Sequence, residues 1–144
     1  MSYASWLQRV AGYLVDACVL LPAVLVIAAG SAVTGSGNPG DTAGFGVGML
    51  VIGWLALAAV TVWNLLLRQG RTGWSVGKQV VGIRLLRGST GAPPGPGVAL
   101  LRQVAHLLDS LPCYLGWLWP LWDVRRQTFA DKVTGTVVVV QRRY

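Results

Sequence analysis

Apolar residues fill two long stretches of this chain almost without interruption. Residues 13–33 hold a single charged group, Asp16, and residues 47–67 hold none. A helix of about 20 residues spans about 30 Å, the thickness of a bilayer's hydrocarbon core. In that medium backbone amides must bond to one another, so both stretches predict membrane-crossing helices. Residues 34–44 between them are rich in Gly, Ser, Thr and Asn, which is loop chemistry. A third apolar stretch, 98–122, differs in kind. It carries Arg102, His106 and Asp109, and Pro112, Gly116 and Pro120 break it. Its parts, 100–111 and 113–122, predict helices of about 15–18 Å, half a bilayer each. Two shorter runs, 79–86 (QVVGIRLL) and 136–141 (TVVVVQ), are rich in Val and Ile and predict strands. Neither is stable alone, so they are expected to pair.

Charge placement orients these elements. Residues 68–99 carry Arg68, Arg71, Lys78, Arg84 and Arg87 and no acid, whereas 34–44 carries only Asp41. The positive-inside rule places the N-terminus and the 68–97 loop in the cytoplasm. A full third crossing would put the tail outside, although it bears Arg125, Arg126, Lys132, Arg142 and Arg143. It would also separate the two strands. The expectation is therefore an all-α integral membrane domain occupying the whole chain: helices at 13–33 and 47–67, a cytoplasmic loop at 68–97, a Pro-broken, re-entrant segment at 98–122, and a cytoplasmic tail at 123–144. A small cytoplasmic β-hairpin-like element completes it, and a plain third span is the competing arrangement. Arg9 ahead of an apolar run, with small residues at Gly30 and Ala32, has the outline of a signal peptide. The run is too long for one and Asp16 interrupts its start, so retention is expected.

Composition narrows the class. The 144 residues are 53% hydrophobic and 12% charged, with twelve Lys and Arg, five Asp, no Glu and one His, giving a net charge of +7. Soluble domains carry about 25% charged residues. A water-soluble enzyme, a disordered chain and a disulfide scaffold are all excluded on these grounds. A small integral membrane protein fits. Nucleic-acid binding does not, because the basic residues follow membrane boundaries rather than a groove.

The run RVAGYLVD from Arg9 to Asp16 resembles the opening of RDD-family membrane proteins, named for one arginine and two aspartates. GRTGWSVGK at 70–78 with VGIRL at 81–85 resembles that family's loop after the second helix. ALLR at 99–102 with LDSLP at 108–112 resembles its third apolar block, and RRQTFAD at 125–131 with GTVV at 135–138 its closing motif. The likeness covers essentially the whole chain. It implies that Arg9 and Asp16 are the first two signature residues and that Asp131, or its rival Asp109, is the third. It also implies a place in the bacterial plasma membrane and transport: a small solute or cation moved by an oligomer, with cation/proton exchange attributed to some members. The alternative is a non-catalytic accessory or assembly subunit of a larger membrane transport or envelope complex. Ala130 stands where the closing motif usually has His, so any role of that His is absent here.

Among the residues themselves, Asp16 is the sharpest anomaly. A carboxylate within a membrane helix costs about 2.5–3.5 kcal/mol on insertion scales, so something compensates it. Arg9 lies on the same helix face about 10 Å away and can instead snorkel to the interface, leaving Arg102 or His106 as partners from another segment. Arg102, His106 and Asp109 form one stripe at helical spacing, continued by Cys113. It is either a proton relay or a set of packing and lipid contacts. Ser110, His106 and Asp109 do not make a catalytic triad, since one helix cannot converge all three. Cys18, Cys113 and His106 lack metal-ligand spacing. No cofactor is expected. GWSVGK at 73–78 resembles a phosphate loop but has Thr72 for the first Gly and Gln79 for the final Ser or Thr. Arg68, Arg71 and Lys78 are expected at anionic lipid headgroups of the bilayer. Thr128 with Asp131 reads as a helix capping box, and Asp131 is further expected to latch onto Arg125, Arg126 or Lys78. Trp6, Trp63, Trp74, Trp117, Trp119 and Trp122 suit an interfacial belt.

Overall fold

The computed structural model describes residues 2–35, 42–111 and 114–141. Expectations placed on Asp41, Pro112, Cys113, Arg142 and Arg143 lie outside these residues. The first apolar stretch forms α1 (Trp6–Gly35), which begins earlier than residue 13. The reason is a start signal: the Ser5 hydroxyl accepts from the Gln8 amide at 3.3 Å, and Gln8 Oε1 accepts from the Ser5 amide at 2.9 Å. This reciprocal pair is a capping box. The second stretch forms α2 (Thr42–Thr61), which continues through a π-helical segment (Val62–Arg68) into α3 (Gln69–Thr72). Among the described residues two helices, Trp6–Gly35 and Gly44–Thr72, are long and apolar enough to cross a membrane.

The chain divides into two compact units, Ala17–Val62 and the combination of Met1–Asp16 with Trp63–Tyr144. In the first unit small residues let the two helices approach closely. A Cβ on Gly30 would come within 2.9 Å of the Gly46 carbonyl oxygen, and one on Gly53 within 2.6 Å of Ile27 Cγ1. Membrane helices use such small residues as packing faces. Gly48 faces open space instead.

The second unit carries every other element. α4 (Val76–Val81) is followed by β1 (Ile83–Arg87), so the Val-rich run at 79–86 divides between helix and strand. Ser75 caps α4 with its hydroxyl, and Gly82 ends it at φ 74°. The cap outweighs the β preference of the valines. α5 (Pro96–Ser110) opens on a proline, as helices favour. α6 (Leu115–Leu118) and a single 3₁₀ turn (Trp119–Leu121) follow, then α7 (Phe129–Thr134) and β2 (Thr136–Val140). β1 and β2 pair antiparallel, from Ile83 opposite Val140 to Arg87 opposite Thr136. β2 has a neighbour on its other edge as well: the Ala4 amide donates to the Val138 carbonyl at 2.9 Å and the Val140 amide to that of Ser2 at 2.8 Å. Ala4, Ile83, Leu85 and Val138 form a small buried core there.

α5 reverses the pattern of a soluble surface helix. Ala99, Arg102, Ala105, His106 and Asp109 are buried, while Leu100, Leu101, Val104, Leu107 and Leu108 are exposed. Polar groups face the protein and aliphatic ones face outward, the arrangement a helix adopts when its surroundings are apolar.

Candidate functional site: a buried charged network

Three aspartates are buried in the second unit, and each is held by a different set of partners. Asp131 sits at the third position of α7. Its amide donates to the Thr128 hydroxyl at 3.1 Å, and its carboxylate accepts from the Thr128 amide at 3.4 Å, which completes the capping box. The same carboxylate accepts from Arg9 Nη1 at 2.6 Å and from Arg102 Nε at 2.8 Å. The Thr136 hydroxyl adds a bond at 3.3 Å. One side chain thereby ties α1, α5, α7 and β2 together. Asp131 is fully buried and Arg102 only 1% exposed. Burial by itself would raise the Asp131 carboxyl, but the charges of Arg102 and then Arg9, with their hydrogen bonds, hold it below the usual carboxylate range.

The expected partners of Asp131 are thus corrected. Arg125 and Arg126 are exposed. Arg9 is buried rather than snorkelling outward, and Arg102 is buried rather than at lipid phosphate. The arginines that bind Asp131 lie 122 and 29 residues away in sequence, so no local pattern announces them.

Asp16 meets neither Arg9, Arg102 nor His106 by hydrogen bond. It accepts from Asn64 Nδ2 at 2.8 Å, the Ser75 hydroxyl at 2.6 Å and the Gly77 amide at 2.8 Å. The π-helical segment buries Asn64, whose Oδ1 accepts from the Val76 amide at 2.8 Å. Asp16 therefore occupies the start of α4, where a phosphate would sit if GWSVGK were a phosphate loop. Gly77 is required by close approach: a Cβ there would overlap the Gly12 carbonyl oxygen and lie 2.9 Å from the Asp16 carboxyl carbon.

Asp109 pairs with its own helix and with α7. Its Oδ2 lies 2.6 Å from His106 Nδ1, and its Oδ1 accepts from the Ala130 amide at 3.2 Å. The Tyr13 hydroxyl joins this pair to the Asp131 cluster, lying 3.3 Å from His106 Nε2 and accepting from Arg102 Nη2 at 3.4 Å. Trp117 stacks on His106 with ring centres 4.7 Å apart. The Ser110 hydroxyl donates to the His106 carbonyl at 3.3 Å and accepts from Trp117 Nε1 at 3.3 Å, so it is a packing group.

Lys78 closes the network. Its Nζ donates to Gln69 Oε1 at 2.9 Å and stands 5.2 Å from the centre of the Tyr13 ring. It is buried, and so is withdrawn from the headgroup role expected of it beside Arg68 and Arg71. Burial first, and then the charge of Arg102, lower its ammonium to about 7, against the opposing pull of Asp16. Arg9 Nε and Nη2, Arg102 Nη1 and Gln69 Nε2 are buried donors without a protein acceptor among the described residues. Trp74 is buried as well, not interfacial, and Cys18 is exposed. Among the described residues no three His, Cys, Asp or Glu side chains gather as metal ligands would.

The residues that sequence reasoning passed over are Tyr13, Asn64, Gln69 and Ser75. A signal existed for Asn64: an amide within an otherwise apolar stretch is costly without a partner. The other three carry no mark until the elements pack.

The sequence pattern described as the RDD family matches residues 3–135. The proline-rich antigen of Mycobacterium leprae is 47% identical over 94 residues, covering 64% of this chain and 38% of that protein. The proline-rich antigen homolog of Mycobacterium tuberculosis is 44% identical over 95 residues, covering 65% of this chain and 40% of that protein. The chain thus spans about two fifths of the length of the curated relatives it matches. No solved structure matches it.

Proposed function

From the premise that the chain belongs to the RDD family, we propose that it is a multi-pass plasma-membrane domain that transports a small solute or cation as an oligomer, with cation/proton exchange as its mode. One observation carries this reading: a chain of ionisable groups, Lys78–Tyr13–Arg102–Asp131–Arg9 with His106 and Asp109 attached, all buried but the half-buried Tyr13. Such groups are expensive where the surroundings are apolar and mark ion or proton paths by default. Buried donors without protein acceptors lie within the chain, suited to a passing solute's oxygen atoms. Two spans are too few to enclose a path, so several copies supply the remaining walls.

The sheet supports a common side for both termini. Ser2–Ala4 and β1 both hydrogen-bond to β2, and a bilayer cannot run between bonded strands. On that reading segment 98–122 enters and leaves on the cytoplasmic side.

A second reading rests on a different observation. Each of Asp16, Asp109 and Asp131 accepts at least one hydrogen bond from an element other than its own, which describes a lock. The chain then serves as an accessory or assembly module of a larger membrane complex. Purified chain in liposomes separates the two. Cation-driven proton flux that Lys78→Met or Asp16→Asn abolishes, in protein that remains folded, supports transport. Silent liposomes, with membrane proteins co-purifying from cells, support the assembly role.

A further inference from the structure

Arg68, Arg71 and Arg84 take no part in the charged network. They line a cavity of about 460 Å³ together with Thr72, Trp74, Gln79 and Gln141, and among the described residues no carboxylate lines it. None of the three makes an ion pair among the described residues, where the ion-paired cations are Arg9, Arg102, His106 and Lys132. The cavity is built rather than accidental. Arg84 Nε donates to the Thr72 carbonyl at 2.8 Å, its Nη1 donates to Gln141 Oε1 at 3.2 Å, and its guanidinium lies 5.7 Å from the Trp74 ring centre. Arg68 Nη2 donates to Gln79 Oε1, and its guanidinium lies 5.7 Å from the Trp63 ring centre. Arg68 Nη1 is buried with no acceptor among the described residues. Arg71 is exposed and makes no side-chain hydrogen bond or ion pair there, so its whole fork is free for a ligand.

We propose that this cavity binds a phosphate group, through Arg71 and the free edges of Arg68 and Arg84. Three guanidiniums without an acid form a strong phosphate-recognition set, because each presents a planar fork matched to two phosphate oxygens. Position argues for a lipid as the source. Arg68, Arg71 and Thr72 belong to the last turns of the apolar helix Gly44–Thr72, which end where a span meets headgroups. A soluble phosphate has the same chemistry. The site shares no residue with the Asp16, Asp109 and Asp131 clusters, so it stands or falls apart from the transport reading.

The experiment uses the full chain in micelles doped with phosphatidylglycerol or with phosphatidylcholine, and native mass spectrometry to count retained lipid. A parallel titration measures inorganic phosphate binding by calorimetry in phosphatidylcholine nanodiscs. Arg71→Gln is the principal variant, because this side chain holds nothing in the fold. Arg126→Gln is the control, an exposed arginine outside the cavity. The expected result is preferential retention of phosphatidylglycerol that falls about fivefold in Arg71→Gln, the equivalent of about 1 kcal/mol per basic residue at an anionic surface. Arg126→Gln leaves retention unchanged. Phosphate binding without lipid preference, lost in Arg71→Gln, keeps the site and assigns it to a soluble anion. Absence of both kinds of binding, or equal losses in Arg71→Gln and Arg126→Gln, overturns the proposal.

Discussion

Asp131→Asn tests the central feature of the structure. The substitution keeps the shape of the side chain and part of the α7 cap but removes the charge that Arg9 and Arg102 share. Two guanidiniums then remain buried against a neutral amide. Removing one partner of a buried ion pair costs about 3–5 kcal/mol, because the other is left uncompensated. That is a large fraction of the 5–15 kcal/mol that typically holds a domain folded. Loss of the cap by itself accounts for only about 1 kcal/mol, so Thr128→Ala is the natural reference variant. Equilibrium unfolding of both variants in mixed micelles at neutral pH reads the difference. The wild type should also lose more stability in acid than Asp131→Asn does, the contribution of Asp123 being common to both. The sign follows from linkage: the folded carboxyl titrates below its unfolded value of about 3.9, so the contribution is complete above about pH 5 and is lost as pH falls through the folded value. A cost for Asp131→Asn no greater than that for Thr128→Ala would refute the account.

Lys78 makes a prediction of the same sign at higher pH. Its folded value of about 7 lies below the unfolded 10.5, so the unfolded chain binds more protons between them and stability rises with pH across that window. Lys78→Met should flatten the rise when unfolding is compared at pH 6 and pH 9. Gly77→Ala forces a methyl into the Gly12 carbonyl and should cost at least the 1–3 kcal/mol of an overpacked core, visible as aggregation on size exclusion. Asn64→Leu removes one donor from Asp16 and the acceptor of the Val76 amide, and should cost about 1–3 kcal/mol. Asn64→Asp should be worse, since it faces Asp16 with a like charge; an Asp variant as stable as the Leu variant by unfolding would contradict the geometry.

Much of the architecture was legible along the chain. The length and purity of the two apolar stretches identified both long helices, because a bilayer's thickness is a local requirement on about 20 consecutive residues. Thr128 and Asp131 announced their capping box, because the two residues that bond are three apart. The strand pair was legible in outline, although Ser75 drew Gln79–Val81 into α4 and Ser2–Ala4 added an unannounced edge. The anomalous charges, Arg9, Asp16, Arg102, His106, Asp109 and Asp131, were also visible from their cost in an apolar chain.

Which of them meet was decided only by folding. Asp131 takes Arg9 and Arg102 from distant helices, and Asp16 takes an amide, a hydroxyl and a backbone N–H instead of a cation. Lys78, one of a basic series by sequence, is drawn inside, while Arg84 replaces it beside Arg68 and Arg71 at the surface cavity. Hydropathy and capping act over one span or one turn, and sequence records them directly. An ion pair depends on where two remote side chains arrive, and that is a property of the packed elements together.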